Sequence, residues 1–512
     1  MSQTRAHIVA YPFPAWGHAR PLINLVARLV KLRALDVTLL VTDDFLDQAF
    51  AELGRNMGPD EQEHTASIRI LSLGAGHFSR LAELDKAFEE TWTQLVTGEE
   101  AVCRKTGTRI APLQRPQAII VDMFGIQAFG TVMELSGDTV KVHVWCSGLT
   151  AAMFHLFGPE ELGGKGNVRA RAEEEARQTG VSLTDIIMRE YVGTKGELVR
   201  VPGMPPMYDY EYYPQPSRVP PQVVVGVFAR LYEMLEACDG MLLYTSEAYE
   251  SEAVAAMREW FGKTSRGIYV TGPLVPIGVQ TTGQERERSE DADKIQAFLD
   301  STLATFGERS LLYISFGTML HGEDVVEKLW ALLDIVMELN IPFVMSHASS
   351  PGTDIPDDAK AKIDAYSKGL LSPWVPQQTL LEHPATGWFL THGGHNSAME
   401  AVVAGVPMIF WPFGADQPLT TVHVTDNLHA GYELIETRSG PDGLKPIYRN
   451  GRQPLGTVEA LKAEVREVLQ KAFGEDGGEK RKSLLKISSA VRCDWEERGA
   501  AKRDMSVFLS NL

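Results

Sequence analysis

The sequence predicts an α/β protein with two doubly wound parallel sheets, each in its own domain. Short apolar strands alternate with amphipathic helices in both halves of the chain. Between Gly272 and Ala292 the sequence is rich in glycine, proline and residues of both charges, and its apolar residues show no regular spacing. This composition indicates a linker. A chain of 512 residues is also too long for one hydrophobic core.

The first half begins with a strand in AHIVAYPF, residues 6–13. The next run, residues 20–32, repeats leucine and valine at helical spacing and predicts a helix. Further short, β-rich apolar runs predict strands at residues 36–42, 117–124, 140–145, 240–246 and 267–272. Strand, helix, strand in this rhythm predicts a parallel sheet.

The second half repeats the pattern, with a strand at 310–318, a helix at 325–339 and further strands in IPFVMSH, GLLSPWVP, TGWFLTH and VPMIFWPF. We therefore predict a domain at 1–272, a linker at 273–292, a second domain at 293–490 and a C-terminal helix at 491–512 that packs back on the first domain. Two such sheets are expected to face a cleft, because ligands of open parallel sheets bind beyond the carboxyl ends of the strands.

Composition narrows the class of protein. The hydrophobic fraction of 44 % and charged fraction of 23 % are typical of globular proteins. A net charge of -18 argues against nucleic acid and anionic membranes as partners. The four cysteines form no CxxC pair, and no apolar run approaches the ~18 residues of a membrane span. We expect reduced thiols, no membrane span and a cytoplasmic protein.

The stretch THGGHNSAME, residues 391–400, follows the apolar run GWFL and precedes a predicted helix. Paired glycines let the backbone turn tightly beside a ligand, and the unpaired amides of a helix start attract an anion. The alternative is a purely structural capping box formed by Ser397 and Glu400. These residues alone leave both interpretations open.

The wider text from Trp374 to Gln417, WVPQQTLLEHPATGWFLTHGGHNSAMEAVVAGVPMIFWPFGADQ, resembles the signature box of the UDP-dependent glycosyltransferases of family one, best known from plant secondary-product enzymes. The resemblance keeps residue types and spacing through the box and extends more loosely over the whole chain. It implies the GT-B fold, in which two Rossmann-like domains face an interdomain cleft. It also implies a soluble enzyme that uses a UDP-sugar as co-substrate.

The resemblance implies a nucleotide-binding role for many residues of the box. Trp374 would stack its indole on uracil, and Glu400, as a charged acceptor, would hold the ribose together with Gln377. The other UDP-binding residues that it implies are Val375, His392, Gly394, Asn396, Ser397 and, in the earlier run SFGT, Thr318. Thr318 could instead be an ordinary strand-to-helix cap.

The same resemblance implies a sugar site formed by Trp411, Asp416 and Gln417. Gln417 at the end of the box resembles the residue of glucose users more than that of galactose users. His395 departs from the plant pattern, which usually has tryptophan there, but the contact at that position is thought to be largely through the backbone. We therefore expect donor binding to survive this departure.

Two residues of the first half are candidates for acid–base chemistry. His18 follows the opening strand at a helix start, whose partial positive charge disfavours imidazolium and keeps the ring able to accept a proton. Asp122 ends a strand at the same sheet edge and could fix the tautomer of the ring. Each could alone be structural. The resemblance matches both and implies that His18 is the general base, that Asp122 assists it, and that transfer inverts the anomeric centre.

We predict no metal and no cofactor beyond the UDP-sugar. The only Asp-x-Asp spacing, Asp291 and Asp293, lies in the linker, where a helix cap is the better interpretation. Cys146 stands where the family has a hydroxyl residue that touches the sugar, so that either Ser147 substitutes or the contact is absent. The small, hydroxylated acceptor would meet an apolar pocket built from Phe13, Trp16, Phe124, Phe154 and the run Tyr208–Tyr213, unless these are core aromatics.

Two other functions stay open at this stage. A nucleotide-sugar epimerase or hydrolase of the same architecture would release UDP without any acceptor, and a non-catalytic UDP-sugar-binding protein would not depend on His18. A nicotinamide-dependent dehydrogenase is a poor alternative, because the first turn, PFPAWGHARP, lacks GxGxxG. The stretch from about Arg169 to Pro221 suggests either an interaction loop or a packed cover over the first domain.

Overall fold

The computed structural model describes residues 5–58, 60–76, 81–216, 219–275, 291–317, 323–347 and 355–512. The chain forms two compact units. The N-terminal unit comprises Met1–Gly193, Val219–Pro276 and Cys493–Leu512. The C-terminal unit comprises Thr194–Arg218 and Ile277–Arg492. Each unit is built around its own parallel sheet.

The strands of the described residues are, in chain order, β1 Ala6–Tyr11, β2 Leu35–Val41, β3 Ile68–Ser72, β4 Ala101–Val102, β5 Arg109–Ile110, β6 Ala118–Asp122, β7 Lys141–Cys146, β8 Leu198–Val199, β9 Met207–Tyr208, β10 Gly240–Leu243, β11 Gly267–Val270, β12 Leu311–Ser315, β13 Phe343–Ser346, β14 Gly369–Ser372, β15 Thr386–Thr391, β16 Met408–Phe410 and β17 Gly431–Glu433. The pairs β4–β5 and β8–β9 are short antiparallel hairpins.

The α-helices are α1 Trp16–Leu32, α2 Asp43–Asn56, α3 Gln62–Ala66, α4 Leu81–Thr97, α5 Ile126–Ser136, α6 Thr150–Phe157, α7 Val168–Thr179, α8 Leu183–Val192, α9 Pro221–Val223, α10 Ala229–Ala237, α11 Ser251–Gly262, α12 Ala292–Phe306, α13 Glu323–Glu338, α14 Asp357–Tyr366, α15 Gln377–Glu382, α16 His395–Ala404, α17 Gln417–Val422, α18 Gly440–Gly443, α19 Val458–Ala472, α20 Glu475–Arg492 and α21 Ala500–Ser510. The part of the chain that the structure describes has two π-helical turns, at Val224–Phe228 and His423–Asn427. Within the described ranges, no helix is both long and apolar enough to cross a membrane.

The sheet of the N-terminal unit has the strand order β11-β10-β7-β6-β1-β2-β3, and every neighbouring pair is parallel. The chain therefore leaves β1 toward β2 on one side and returns to pair β6 on the other side. Ligands of such sheets bind at the carboxyl ends of the strands where the order reverses. In this unit that point lies between the ends of β1 and β6.

The sheet of the C-terminal unit has the order β14-β13-β12-β15-β16-β17, again all parallel. Its order reverses between β12 and β15. The core of this unit joins inward side chains of these strands to apolar faces of α13 and α19, with Trp388, Trp411 and Phe343 among the largest buried side chains. The two α/β sheets confirm the predicted fold class.

Some elements differ from the sequence prediction. The helix predicted at 20–32 begins four residues earlier, at Trp16, with Ala15 as an N-cap that makes no side-chain hydrogen bond. This extension brings His18 into the first turn of α1. The strands β3 and β17 were not predicted because each is short and lies at a sheet edge, where β3 alternates apolar residues with a charged one.

The segment Thr194–Arg218 belongs to the C-terminal unit, although the chain on both sides of it belongs to the N-terminal unit. The carboxylate of Glu211 accepts a hydrogen bond from the amide of Tyr448 at 2.9 Å, and the side chain of Gln215 donates to the Thr437 carbonyl at 2.8 Å. The segment, with its run Tyr208–Tyr213, therefore packs within the C-terminal unit and is not a loop of the first domain. The cover over the first domain stays a prediction.

The C-terminal helix α21 belongs to the N-terminal unit. Its Asp504 accepts hydrogen bonds from the amide of Val270, in β11, at 3.0 Å and from Arg258 at 2.9 Å. Phe508 of the same helix packs edge-on against His143 of β7. Helix α21 therefore packs against the first sheet at its β11 edge.

Candidate active site

His18 and Asp122 form a hydrogen-bonded pair in the N-terminal unit. Nδ1 of His18 lies 2.9 Å from Oδ2 of Asp122. The carboxylate is fully buried, whereas the side chain of His18 is 23 % exposed. The other carboxylate oxygen accepts a hydrogen bond from the amide of Phe124 at 3.0 Å, so the carboxylate is held from two sides.

This arrangement sets the chemistry of the imidazole. An ionised carboxylate only accepts hydrogen bonds, so Nδ1 of His18 carries the hydrogen and Nε2 presents a lone pair. His18 is the third residue of α1, where the partial positive charge of a helix start disfavours a second positive charge. The pair follows the ends of β1 and β6, at the reversal of strand order. Its members can therefore act as a base and the residue that orients it.

The four aromatic residues predicted around the acceptor separate into two groups. The rings of Phe13 and Phe124 lie 5.6 Å and 5.4 Å from the imidazole of His18. Trp16 packs instead on Phe45 at 5.6 Å. Phe154 is fully buried, so its side chain cannot line a pocket, and that part of the prediction is wrong. Its ring packs in the core, beside α11.

The two residues considered for a sugar contact at the end of β7, Cys146 and Ser147, are also buried. The side chains of Cys146 and Ser147 are both buried, at 0 % and 5 % exposure. The thiol of Cys146 is directed to the carbonyl of Gly148 at 3.8 Å. Neither side chain is presented to solvent in the way that Phe124 is.

In the C-terminal unit, Glu400 organises a network of amide side chains. Its carboxylate accepts hydrogen bonds from the side-chain amide of Gln377 and, at 3.3 Å, from that of Gln378. The side-chain oxygen of Gln377, Oε1, accepts in turn from the hydroxyl of Tyr313 at 3.0 Å. Glu400 is 5 % exposed, so this network holds a largely buried carboxylate in place on α16, whose range is His395–Ala404.

The turn after β15 depends on glycine. The backbone of Gly393 has φ +86°, a conformation that residues other than glycine rarely adopt. A Cβ at Gly394 would lie 2.4 Å from Nε2 of His392, and one at Gly317, after β12, would lie 3.0 Å from the same ring. His392 thus fills the space between the ends of β12 and β15.

Helix α16 begins at His395, with Gly394 as an N-cap that makes no side-chain hydrogen bond. Its first amides therefore have no carbonyl partner within the helix, which is the condition for an anion site. Ser397 is the third residue of the helix and not its cap, and Glu400 bonds to glutamines instead of the helix end. The capping-box interpretation is wrong for this reason.

The remaining donor-site candidates are placed as follows. The indole of Trp374 is 44 % exposed, as a stacking surface must be, while Val375 is buried. Asp416 stands at the N-cap of α17 but makes no side-chain capping bond, and Oε1 of Gln417 accepts from the amide of Phe413 at 2.8 Å. Thr318 lies outside the described residues.

Two tryptophan positions of the family pattern behave differently here. Trp411 is fully buried and packs on Phe316 and Phe413 in the core, so its side chain cannot touch a sugar as predicted. His395, which replaces a tryptophan of the plant pattern, is 3 % exposed. The imidazole at this position is therefore not presented to solvent.

Sequence reasoning missed Tyr313 and Gln378. Tyr313 is the one hydroxyl-bearing aromatic in the apolar strand SLLYIS, and it positions Gln377. A tyrosine hydroxyl in a buried strand needs a partner, which is the signal that could have revealed it. Asp291 stands at the N-cap of α12 as predicted, but its carboxylate accepts from the hydroxyl of Ser372 at 2.9 Å and makes no capping bond.

Solved structures with the same fold include plant transferases. The chain superposes on UGT2 of Phytolacca americana complexed with UDP-2fluoro-glucose and pterostilbene, with a TM-score of 0.66, 19 % identity and 99 % of both chains covered. For a transferase of Glycyrrhiza uralensis complexed with glycyrrhetinic acid 3-O-monoglucuronide, the TM-score is 0.71 at 19 % identity, covering 99 % of this chain and 96 % of the other. The fold is GT-B, the fold of nucleotide-sugar transferases.

Sequence comparison shows which proteins the chain is similar to. The profile described as UDP-glucoronosyl and UDP-glucosyl transferase matches residues 257–442, which include the network of Glu400. UDP-glycosyltransferase eriJ of Hericium erinaceus is 29 % identical over 530 aligned positions, covering 99 % of each chain, and a UDP-glycosyltransferase of Arabidopsis thaliana is 24 % identical, covering 96 % of each. In sequence and in fold the protein is thus similar to UDP-dependent glycosyltransferases of family one.

Proposed function

We propose that the protein transfers glucose from UDP-glucose to a hydroxyl of a small, largely apolar acceptor, with inversion at the anomeric carbon. The observation that carries this proposal is the 2.9 Å hydrogen bond between Nδ1 of His18 and buried Asp122, which leaves Nε2 as the base. No metal or further cofactor takes part in the proposed reaction.

The proposed reaction is a single displacement. Nε2 of His18 takes the proton of the acceptor hydroxyl while the hydroxyl oxygen bonds to the anomeric carbon. The bond from that carbon to the β-phosphate oxygen breaks, and UDP departs with the electron pair. Asp122 stabilises the imidazolium formed in this step. Displacement on the face opposite the leaving group gives a β-glucoside from an α-linked donor.

The departing UDP gains negative charge, and the start of α16 supports the proposal that it is held there. Preorganised amides aimed at a developing charge are commonly the largest contribution to such catalysis. His392 beside Gly394 and the side chains of Asn396 and Ser397 add polar contacts at the same helix start. These groups would bind the diphosphate, while Glu400 and Gln377 would bind the ribose and Trp374 the uracil.

The proposal of glucose rests on Asp416 and Gln417. The side-chain oxygen of Gln417, Oε1, accepts hydrogen bonds from the loop amides of Phe413 and Gly414, at 2.8 Å and 3.3 Å. The side chain is therefore fixed with its amide nitrogen as the remaining donor toward a sugar hydroxyl. Its carboxylate neighbour Asp416 supplies the complementary acceptor.

The test compares the parent protein with His18→Ala and, as a matched control, His64→Ala on α3. Each is incubated with UDP-glucose and a panel of phenols and sterols, and products are quantified by mass spectrometry. We expect His18→Ala to lose about a hundredfold to ten-thousandfold in kcat, the usual contribution of a general base. UDP binding by calorimetry should match the parent, and His64→Ala should match it in both.

The outcomes separate the remaining functions. Glucose release or epimerisation without an acceptor would indicate a hydrolase or epimerase, and UDP binding without any turnover would indicate a binding protein. Equal turnover by His18→Ala and the parent would remove His18 as base. Proton NMR of the product reports the anomeric configuration, and turnover in a chelator tests metal independence.

A further inference from the structure

A row of aromatic rings leads away from His18 in the N-terminal unit. The ring of Phe124 lies 5.4 Å from the imidazole, and the ring of Phe228 lies 5.9 Å from Phe124 at an interplanar angle of 26°. Both phenylalanines are partly exposed, as His18 is. Phe228 was not predicted from the sequence, because it lies far from the first-loop and strand-end motifs.

Phe228 is held in place from its buried side. Phe157 and Tyr191, each 2 % exposed, meet its ring edge-on at 5.5 Å and 5.9 Å. The hydroxyl of Tyr191 donates a hydrogen bond to the backbone carbonyl of Phe228 at 3.0 Å. Two buried rings and one backbone bond therefore fix the position of the Phe228 ring.

The backbone that carries Phe228 is unusual. The segment Val224–Phe228 is a π-helical turn between the short helix α9 and α10, and the amide of Ala229 bonds back to the carbonyl of Val224. Such turns are rare and occur frequently at functional sites, where they redirect a side chain. Phe228 is the last residue of this turn, so the turn determines its direction.

We propose that Phe228 is a specificity-determining residue that, with Phe124, stacks on a planar acceptor. The acceptor class would be flat aryl compounds, whose ring extends the row of Phe124 and Phe228 while their hydroxyl reaches Nε2 of His18. Offset-stacked aromatic pairs gain about 0.5–1.5 kcal/mol beyond the area they bury. A puckered ring of the same size gains the buried area only. This inference rests on the proposed function.

The experiment uses two acceptors that share a primary hydroxyl and ring size, flat benzyl alcohol and puckered cyclohexylmethanol. For each protein, kcat/KM is measured with UDP-glucose at saturation, and the ratio of the two values gives the preference for the flat ring. We expect Phe228→Leu, which keeps apolar volume but not the flat face, to lower this ratio about threefold to tenfold, mainly through KM. Phe228→Tyr, which keeps the ring, should retain the parent ratio.

Phe50→Ala supplies a matched control, because Phe50 is a 54 % exposed phenylalanine on α2 of the same unit. Its ratio should equal that of the parent. An unchanged ratio in Phe228→Leu, or equal losses for both acceptors, would overturn the role of Phe228. A parent that transfers glucose to no hydroxyl compound would instead overturn the proposed function, so the two failures are distinguishable.

Discussion

The His18 pair and the glycine turn before α16 occupy equivalent places in their two sheets but are built from different parts of the chain. Each lies where strand order reverses, between β1 and β6 in one sheet and between β12 and β15 in the other. The first site depends on side chains, a ring and a buried carboxylate. The second depends on backbone amides and on the lack of side chains at Gly393 and Gly394.

This difference predicts how each site fails. A site made of side chains should lose chemistry when one functional group changes, while its shape persists. A site made of backbone should lose binding when volume is added, while its functional groups persist. The two units can thus be told apart by whether a substitution acts on kcat or on donor affinity.

The largest effect is expected from Asp122→Asn in the first site. The amide keeps the size of the carboxylate but cannot stabilise the imidazolium, and it permits the wrong tautomer of His18. We expect kcat to fall by about a hundredfold, within the range of base catalysis, with UDP affinity unchanged. Rapid-quench measurement of a single turnover checks this, and a change in KM for UDP-glucose alone would contradict it.

Next in size is Gly394→Ala in the second site. The added Cβ would meet His392 at 2.4 Å, so either the ring or the helix start must shift. Overpacking of this kind costs about 1–3 kcal/mol, and we expect the Kd for UDP to rise about tenfold. Gly478→Ala on α20 is the matched control, because a Cβ there meets nothing within 4 Å. Calorimetry should show parent affinity for the control; parent affinity for Gly394→Ala would refute the backbone site.

A smaller effect is expected from Glu400→Gln. The substitution keeps an acceptor oxygen but removes the charge that Gln377 and Gln378 now bind. Hydrogen bonds to a charged group are worth about 1 kcal/mol more than neutral ones, so KM for UDP-glucose should rise about fivefold. Steady-state kinetics at fixed acceptor tests this. Equal loss of kcat would show that Glu400 acts in the chemical step.

The prediction with the smallest effect at neutral pH concerns how acid changes the stability of each unit. Burial, with the nearby charge of Lys141, lowers the pKa of His143 to about 3. Below the ordinary pKa of 6.5 the unfolded chain binds this proton and the folded chain does not, so stability of the N-terminal unit falls as pH drops from 6.5 toward 3. Each pH unit in that window costs about 1.4 kcal/mol.

His143→Phe should flatten this dependence, as followed by hydrogen exchange of the β7 amides between pH 7 and pH 5. Burial alone would raise the pKa of Glu433 in the C-terminal unit, but Arg438 and Arg449, at 2.7 Å and 2.8 Å, hold it at about 2. Its contribution to stability is lost only below 4.5, so the second unit should resist mild acid better. Parallel curves for parent and variant would refute the assignment to His143.

The sequence made most of the C-terminal site predictable, because the box from Trp374 to Gln417 is contiguous and its spacing is specific. The alternation of strands and helices likewise made the sheets predictable, apart from the edge strands β3 and β17. The burial of Trp411 was not predictable, since a tryptophan near a ligand loop can face either side of its strand. Packing against Phe316 and Phe413 decides its side.

The N-terminal site was harder to predict for a topological reason. His18 and Asp122 are distant in sequence, and they meet because β1 and β6 pair in the sheet. Strand order cannot be read from hydrophobic periodicity, so the pairing rested on resemblance. The position of Phe228 depends on a π-turn that no local propensity indicates.

The excursion of Thr194–Arg218 has a consequence for engineering. Because the first unit is assembled from three stretches of chain and the second from two, a cut in the region between residues 276 and 290 would yield two fragments that each lack a piece of their own unit. A hybrid that exchanges the first unit with that of a homologue should therefore carry over Met1–Gly193, Val219–Pro276 and Cys493–Leu512 together, and it should leave residues 194–218 with the second unit. Simple two-piece hybrids would bring mismatched partners to the buried carboxylate of Glu211 and to the last helix alike.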